Sequence, residues 1–286
     1  MGDHRNDLRN FILDTRTLPT LPGIVSKLNS LVENNKSSLH EMARLVSSDQ
    51  VISARILRLA NSPSYGFYRV STISNAMILL GVDVVKSLIL SSSIFEIMEN
   101  SILGLWEHSL GAGVAANIIA KRLRLPECEE ISTAALLHDI GKVIIRLKLE
   151  EEYENLLRNN EEKGTASDFI ERQNFGTDHA EVGGWLAQNW NLPEKLSVPI
   201  RYHHNVDETE IHKTKASVVH MADVLINASG FSQEGNTCVP RIQPAAWSKL
   251  GMNEVILAEI VEELEDKLVD LKNFSMEIHA TDEKQT

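Results

Sequence analysis

Leu136-Leu137-His138-Asp139-Ile140-Gly141-Lys142 ends an apolar run on an adjacent histidine and aspartate. The residues leading into it have helical spacing, and Gly141 is expected to stop that helix, with Lys142 just beyond. Imidazole and carboxylate are the usual protein ligands of divalent transition metals. An ammonium beside them can hold a phosphate oxygen as a point charge. A charged pair closing an apolar run is expected to be partly buried, and buried charge is costly unless it is paired or metal-bound. His-Asp pairs also arise by chance in soluble proteins. This one gains weight from other donors along the chain: His108, His179, the doublet His203-His204, and Asp223.

Outward from that stretch, nearly every segment is helical in pattern. Helices are expected over 106–125 and 127–138, separated by Pro126. Asp178 can cap a helix running to Trp190, and Pro193 opens another toward His204. A further amphipathic run covers 212–228 and ends at Gly230. Segment 231–244, rich in Ser, Gly, Asn, Gln and Pro, reads as a loop. An acidic amphipathic helix follows over 253–271, with apolar Val255, Ile256, Ile260, Leu264, Leu268 and Leu271; the end of the chain, 280–286, is expected to fray. Toward the N-terminus, helices are expected over 49–60, over 74–80 closed by Gly81, and over 82–98. Strand signals are almost absent, and no Asn-Gly or Asp-Gly hairpin turn occurs. The expected fold is all-α, a bundle of at least ten helices. It divides into a lead-in (1–17), an N-terminal helical half (18–100), a half carrying the candidate ligands (101–230), and a loop with an added C-terminal helix (231–286).

Composition agrees with that class. Of 286 residues, 43% are hydrophobic and only 5% aromatic, so the core must be mostly Leu, Ile, Val and Ala. The formal charge of −12 repels polyphosphate at long range, which argues against non-specific nucleic-acid binding. It does not exclude a small phosphate ligand held by a metal. Two cysteines make no disulfide framework and suit a reducing compartment. The most apolar stretch, 76–98, is broken by Asp83 and Lys86 and is short of a clean membrane span. The polar N-terminus lacks the apolar core of a signal peptide. A cytoplasmic protein without membrane contact is expected.

A lone helical histidine, such as His108 or His179, is more often packed or exposed than a ligand. His203-His204 is a different case. Adjacent helical side chains diverge by about 100°, so both would suit a site with two metals, or one metal and its outer shell. Asp223 sits among Val218, Val219, Val224, Leu225 and Ile226 and wants a partner. His220, one turn earlier, is either that partner or an outer residue supporting the site. His4, His40 and His212 fit no pattern and read as surface residues. The order of the remaining donors allows Asp139 to bridge. One divalent ion would take His108, His138, Asp139 and Asp223, and a second would take Asp139, His179, His203 and His204. Histidine-rich sites with a bridging carboxylate suit Fe, Mn, Zn or Ni. Paired metals of this kind activate water and stabilise an in-line phosphoryl displacement.

This order, with its Leu-Leu-His-Asp-Ile-Gly-Lys string, resembles the HD superfamily of metal-dependent phosphohydrolases. The His-His doublet is similar to that of the HD-GYP branch, whose members hydrolyse cyclic di-GMP. The N-terminal half resembles a more specific relative. Leu18-Pro-Thr-Leu-Pro22, Leu57-Arg-Leu-Ala-Asn-Ser-Pro-Ser-Tyr-Gly66 and Asn75-Ala-Met-Ile-Leu-Leu-Gly81 are similar to the HDOD family, the HD-related output domains. The resemblance runs from about Leu18 to Gly230. It implies an all-helical bacterial regulator of the kind often joined to sensor or receiver modules. Both N-terminal motifs also have a structural reading, as a helix entry fixed by proline and as a helix stop with Tyr65 packed beneath it. Two departures matter. His204 is followed by Asn205-Val-Asp-Glu-Thr209 with no Gly-Tyr-Pro segment, so cyclic di-GMP is expected to be a poor substrate. Many HDOD proteins have lost the metal ligands, whereas this chain keeps them. The leading expectation is a signal-output protein with a retained metal site, acting on a signalling protein or through a small phosphorylated ligand. The rival is an active phosphohydrolase on a nucleotide or cyclic nucleotide, with Asp139 and Lys142 catalytic. A third reading is a degenerate scaffold whose polar cluster only satisfies a core.

Overall fold

The computed structural model describes residues 4–13, 39–47, 56, 60, 70–80, 102, 104–161, 165–190, 192–231 and 238–282. Among these residues all regular structure is helical, as expected for the all-α class. In chain order the helices are α1 (His4–Leu13), α2 (Leu39–Ser47), α3 (Ile73–Leu80), α4 (Leu105–Arg122) and α5 (Cys128–Leu137). They continue as α6 (Ile140–Lys148), α7 (Glu150–Glu161), α8 (Ser167–Phe175), α9 (His179–Asn189) and α10 (Glu194–Tyr202). A 3₁₀ turn at Val206–Glu208 precedes α11 (Lys213–Ala228), α12 (Pro244–Lys249) and α13 (Glu254–Asp282). None of them is long and apolar enough to cross a membrane.

The chain divides into two compact units. One is Pro19–Ile97; the other joins Met1–Leu18 to Met98–Thr286. In the first, α2 packs on α3. Met42, Ala43 and Val46 of α2 are buried, as are Ile73, Ala76, Met77 and Leu80 of α3. Thr72 starts α3 by accepting the Asn75 N–H at 3.2 Å. Ile56 and Ala60 are helical and buried. The rest of the helix expected over 49–60, the helix over 82–98, and the motifs at 18–22 and 61–66 lie outside the described residues.

In the second unit, α4 lies along α5, and α11 packs against both. The facing surfaces are built from small residues: Ala112, Ala115, Ala116 and Ala120 on α4, Ala134 and Ala135 on α5, and Ala222 on α11, all buried. Side chains this short let backbones approach closely. A Cβ added at Gly111 would come within 3.0 Å of Ile226 Cδ1. α13 covers the other flank of α4 with Ile260, Leu264 and Leu268, each buried. Burying a side chain of this size stabilises by about 1.5–3 kcal/mol. Val255, placed by sequence on the same stripe, is instead 68% exposed. α13 begins where Asn253 Oδ1 accepts the Ile256 N–H at 2.9 Å, and it runs past the expected end at 271. Residues 280–282, expected to fray, are its last helical residues. Segment 238–243 is irregular as expected, but Pro244 then opens the short α12 that the sequence did not suggest.

Gly141 does not stop a helix. α5 ends at Leu137 with His138 as its C-cap, Asp139 is the N-cap of α6, and Gly141 lies in the first turn of α6. Its reason is close approach. A Cβ there would overlap the His179 carbonyl oxygen and stand 2.7 Å from the Gly183 nitrogen. α6 therefore meets α9 backbone to backbone. On the other side of α9, a Cβ at Gly184 would stand 2.6 Å from Arg201 Cβ on α10. Glycines on α6 and α9 let three helices stack this tightly, and the first residue of α9 is His179.

α1 packs against α6 and α9 with Leu8 and Ile12 fully buried. Arg5 donates to Glu181 Oε1 at 2.7 Å, and His4 meets the Phe175 ring edge-on.

Candidate metal centre

Five parts of the second unit each contribute a donor at the same place. His108 comes from α4, His138 and Asp139 from the α5–α6 junction, His179 from the start of α9, His203 and His204 from just after α10, and Asp223 from α11. His108, His138, His179 and His203 are wholly buried, while Asp139 is 1% and Asp223 4% exposed. His204 is half-buried and is the most exposed of them. All the expected donors are brought together. His108, His138 and Asp223 form one compact donor set, and His179, His203 and His204 form another.

Asp139 stands between the two sets with one oxygen toward each. Oδ2 lies 3.5 Å from both His108 Nε2 and His138 Nε2. Oδ1 lies 3.0 Å from His179 Nε2 and 3.9 Å from His203 Nε2. Asp223 Oδ1 completes the first set at 3.3 Å from His108 Nε2 and 3.6 Å from His138 Nε2. Lys142, expected to await a phosphate, donates instead to Asp139 Oδ2 at 2.8 Å and is 5% exposed.

The ring protons are fixed by the far nitrogens. His108 Nδ1 faces the Phe231 carbonyl at 2.8 Å, His138 Nδ1 the Ala135 carbonyl at 2.6 Å, and His203 Nδ1 the Ile200 carbonyl at 2.7 Å. His179 Nδ1 faces Glu171 Oε2 at 2.6 Å. Each partner is only an acceptor, so each Nδ1 must carry the proton. The Nε2 atoms of these rings face inward, toward one another and toward His204. His108 Nε2 and His138 Nε2 are 3.3 Å apart, and His179 Nε2 and His204 Nε2 are 2.9 Å apart. Lone pairs at that distance repel unless a proton or a metal ion stands between them. Buried His203 Nε2 and Asp223 Oδ2 have no hydrogen-bond partner among the described residues. Both are the kind of orphan a cation would satisfy, and this donor chemistry fits a divalent transition metal in each set.

The charges agree. Burial pushes the Asp139 carboxyl up, but His138, Lys142 and His179 outweigh it and hold it well below the usual range. Burial likewise pushes Asp223 up, but the neighbouring His108 and His138 rings hold it well below the usual range. Burial pushes His138 down, while Asp139 and Asp223 pull it above its ordinary value. His179 is lowered by burial but raised more by Glu171 and Asp139, to about 10. Burial and the charges on His138 and His179 push His203 well down; burial, His203 and His179 do the same to His204. Each set thus has one ring that holds a proton strongly.

Sequence reasoning missed the supports. Glu171 is fully buried, yet nothing in its spacing marks it. The chain reverses at Gly176, where φ is 71°, and Asp178 caps α9 through the Glu181 N–H at 2.8 Å. That reversal carries Glu171 back to His179. Asp178 also receives Arg172 Nε at 2.5 Å. The partner of Asp223 is Asn227, whose Nδ2 donates to Oδ1 at 2.7 Å. His220, weighed for that role, makes its hydrogen bonds elsewhere: its Nδ1 donates to the His203 carbonyl at 2.8 Å, and its Nε2 accepts the Gln243 N–H at 3.0 Å. Gln243 also bonds the His204 carbonyl and accepts the Val206 N–H at 3.0 Å. Of the histidines set aside, His4 and His212 are half-buried rather than exposed, and the side chain of His40 lies outside the described residues.

An all-helical body with an adjacent His-Asp at a helix junction defines the class. The chain belongs to the HDOD family, whose domain matches residues 18–206. Asp223 lies beyond that match. An HDOD domain protein of unknown function from Geobacter sulfurreducens is similar, at 29% identity and a TM-score of 0.78, over 93% of this chain and 95% of that one. A protein from Shewanella amazonensis SB2B, proposed as a phosphohydrolase, shares the fold at 24% identity and a TM-score of 0.70, over 93% of this chain and 95% of its own. An uncharacterized protein of Treponema pallidum (strain Nichols) is 27% identical over 215 residues, which is 73% of this chain and 42% of that one. The chain thus spans less than half the length of that relative.

Proposed function

We propose that this HDOD protein is a cytoplasmic signal-output regulator with a retained centre for two divalent transition-metal ions. The observation that carries the reading is the convergence of Nε2 atoms in two sets, with one Asp139 oxygen turned to each. His108, His138 and Asp223 would hold one ion, His179, His203 and His204 the other, and Asp139 would bridge. Lys142 neutralises the bridging carboxylate and fixes its orientation. An external anion would approach past His204, the most exposed of these donors. When bound, such ions supply Lewis acidity and lower the pKa of water.

The family supports output over turnover. So does the absence of a Gly-Tyr-Pro segment after His204; the backbone there is tied down by Gln243. The partner of this reading is a signalling protein or a small phosphorylated ligand. A metal-dependent phosphohydrolase is the second reading, favoured by the completeness of the donor set. The deciding experiment is elemental analysis of protein purified without an affinity tag, followed by a nucleotide and cyclic-nucleotide panel. Metal without turnover is expected. Chelator-sensitive turnover moves the function to the second reading, and no metal overturns both.

A further inference from the structure

Four buried imidazoles face the cluster with a protonated Nδ1, but their acceptors differ in kind. Three of them, His108, His138 and His203, use backbone carbonyls. Only His179 uses a carboxylate, Glu171. The same Glu171 Oε2 also accepts the His179 backbone N–H at 2.7 Å. One oxygen therefore grips both the ring and the main chain of this residue, and turning the ring breaks one of the two bonds. The other oxygen, Oε1, accepts the Tyr153 hydroxyl at 3.1 Å. Glu171 and His179 are wholly buried and Tyr153 is 1% exposed. The neighbouring Arg172 turns away from Glu171 to Asp178. A buried carboxylate costs far more to desolvate than a carbonyl, and a carbonyl suffices as the acceptor at the other three rings.

We infer that Glu171 is a positioning residue for one metal position only, orienting and polarising His179 and so making the His179–His203–His204 position chemically unlike the His108–His138–Asp223 position. A carboxylate hydrogen-bonded to the far nitrogen of an imidazole raises the basicity of the near one, and losing such a partner costs roughly 10–100-fold in metal affinity. The inference rests on the two-metal reading above.

Glu171→Gln separates this role from a scaffold role. A glutamine oxygen at the Oε2 place can still accept both His179 N–H groups, and the tyrosine hydroxyl can turn to accept from the amide. The frame is kept and the charge is lost. Cobalt(II), followed by its visible absorption in competition with a chelator of known affinity, is the probe. Wild type should take up two ions. Glu171→Gln should keep the helical content of wild type when metal-free, bind one ion unchanged, and bind the other roughly 10–100-fold more weakly, with a shifted absorption band. Asp223→Asn should weaken the opposite position. Glu171→Asp, which keeps the charge but withdraws it by one methylene, should give the same selective loss even where the glutamine variant folds poorly. Equal weakening at both positions, or none, in both Glu171 variants overturns the inference and leaves the metal reading standing. A wild-type chain that takes up no cobalt overturns the metal reading, and this inference falls with it.

Discussion

Asp139→Ala removes the carboxylate whose two oxygens face opposite donor sets, so it should empty both metal positions at once. His204→Ala should weaken mainly one. Mass spectrometry of metal per chain, read beside thermal melting, distinguishes them; full metal content in Asp139→Ala would refute the bridging role. The melting point should fall with metal loss, because binding to the native state alone stabilises it. Protons report on the same residues. His179 is raised to about 10, so its share of the stability of the chelator-treated chain is complete below pH 6.5 and lost as pH rises from 6.5 toward 10. His203 and His204 are lowered, so their share is present above pH 6.5 and lost as pH falls below it. These rings together predict a metal-free stability maximum near pH 6.5, and metal should abolish the alkaline fall. A melting curve that climbs steadily from pH 6.5 to 9 would contradict the assignment. These donors were legible in the sequence because so many histidines and aspartates recur in one order. Glu171, Asn227 and Gln243 were not, because an outer hydrogen bond imposes no spacing on the chain.

Gly141 belongs to the scale of the helix. Alanine there gains about 1 kcal/mol of helix propensity. It also drives a methyl group into the His179 carbonyl across the α6–α9 contact. Overpacking costs about 1–3 kcal/mol, and backbone yields less readily than a side chain. Gly141→Ala should therefore destabilise by about 2 kcal/mol net in chemical unfolding and weaken metal at the His179 position by displacing the start of α9. Unchanged stability would show that the two helices can separate freely. The helix limits legible in the sequence are those with a local cause: Asp178 as a cap, Pro126 and Gly230 as breaks. Gly141 was misread as a stop because a glycine required by a neighbouring helix looks, in one dimension, like a glycine required by a turn. α12 was missed because six residues show too little periodicity to register.

For the whole chain, the family and the all-α class were legible from motifs and period, and the expectation about cyclic di-GMP rests on the segment after His204. Cyclic di-GMP should be hydrolysed poorly or not at all by the metal-loaded protein. Efficient, chelator-sensitive hydrolysis measured by chromatography would show that the Gly-Tyr-Pro segment is dispensable here. The unit that holds the centre was not legible as a discontinuous one. Its first helix, α1, is separated in sequence from its partners α6 and α9 by the whole of Pro19–Ile97 and more. During synthesis α1 emerges well before α6 and α9, so its surroundings are complete only once α9 has been made. Contacts of such long sequence separation close late and slow folding. Leu8, fully buried on α1, is the place to test this. Leu8→Ala should cost about 2–5 kcal/mol, and nearly all of that loss should appear as faster unfolding, with the refolding rate almost unchanged. A matching drop in refolding rate would mean that α1 is part of the folding nucleus after all.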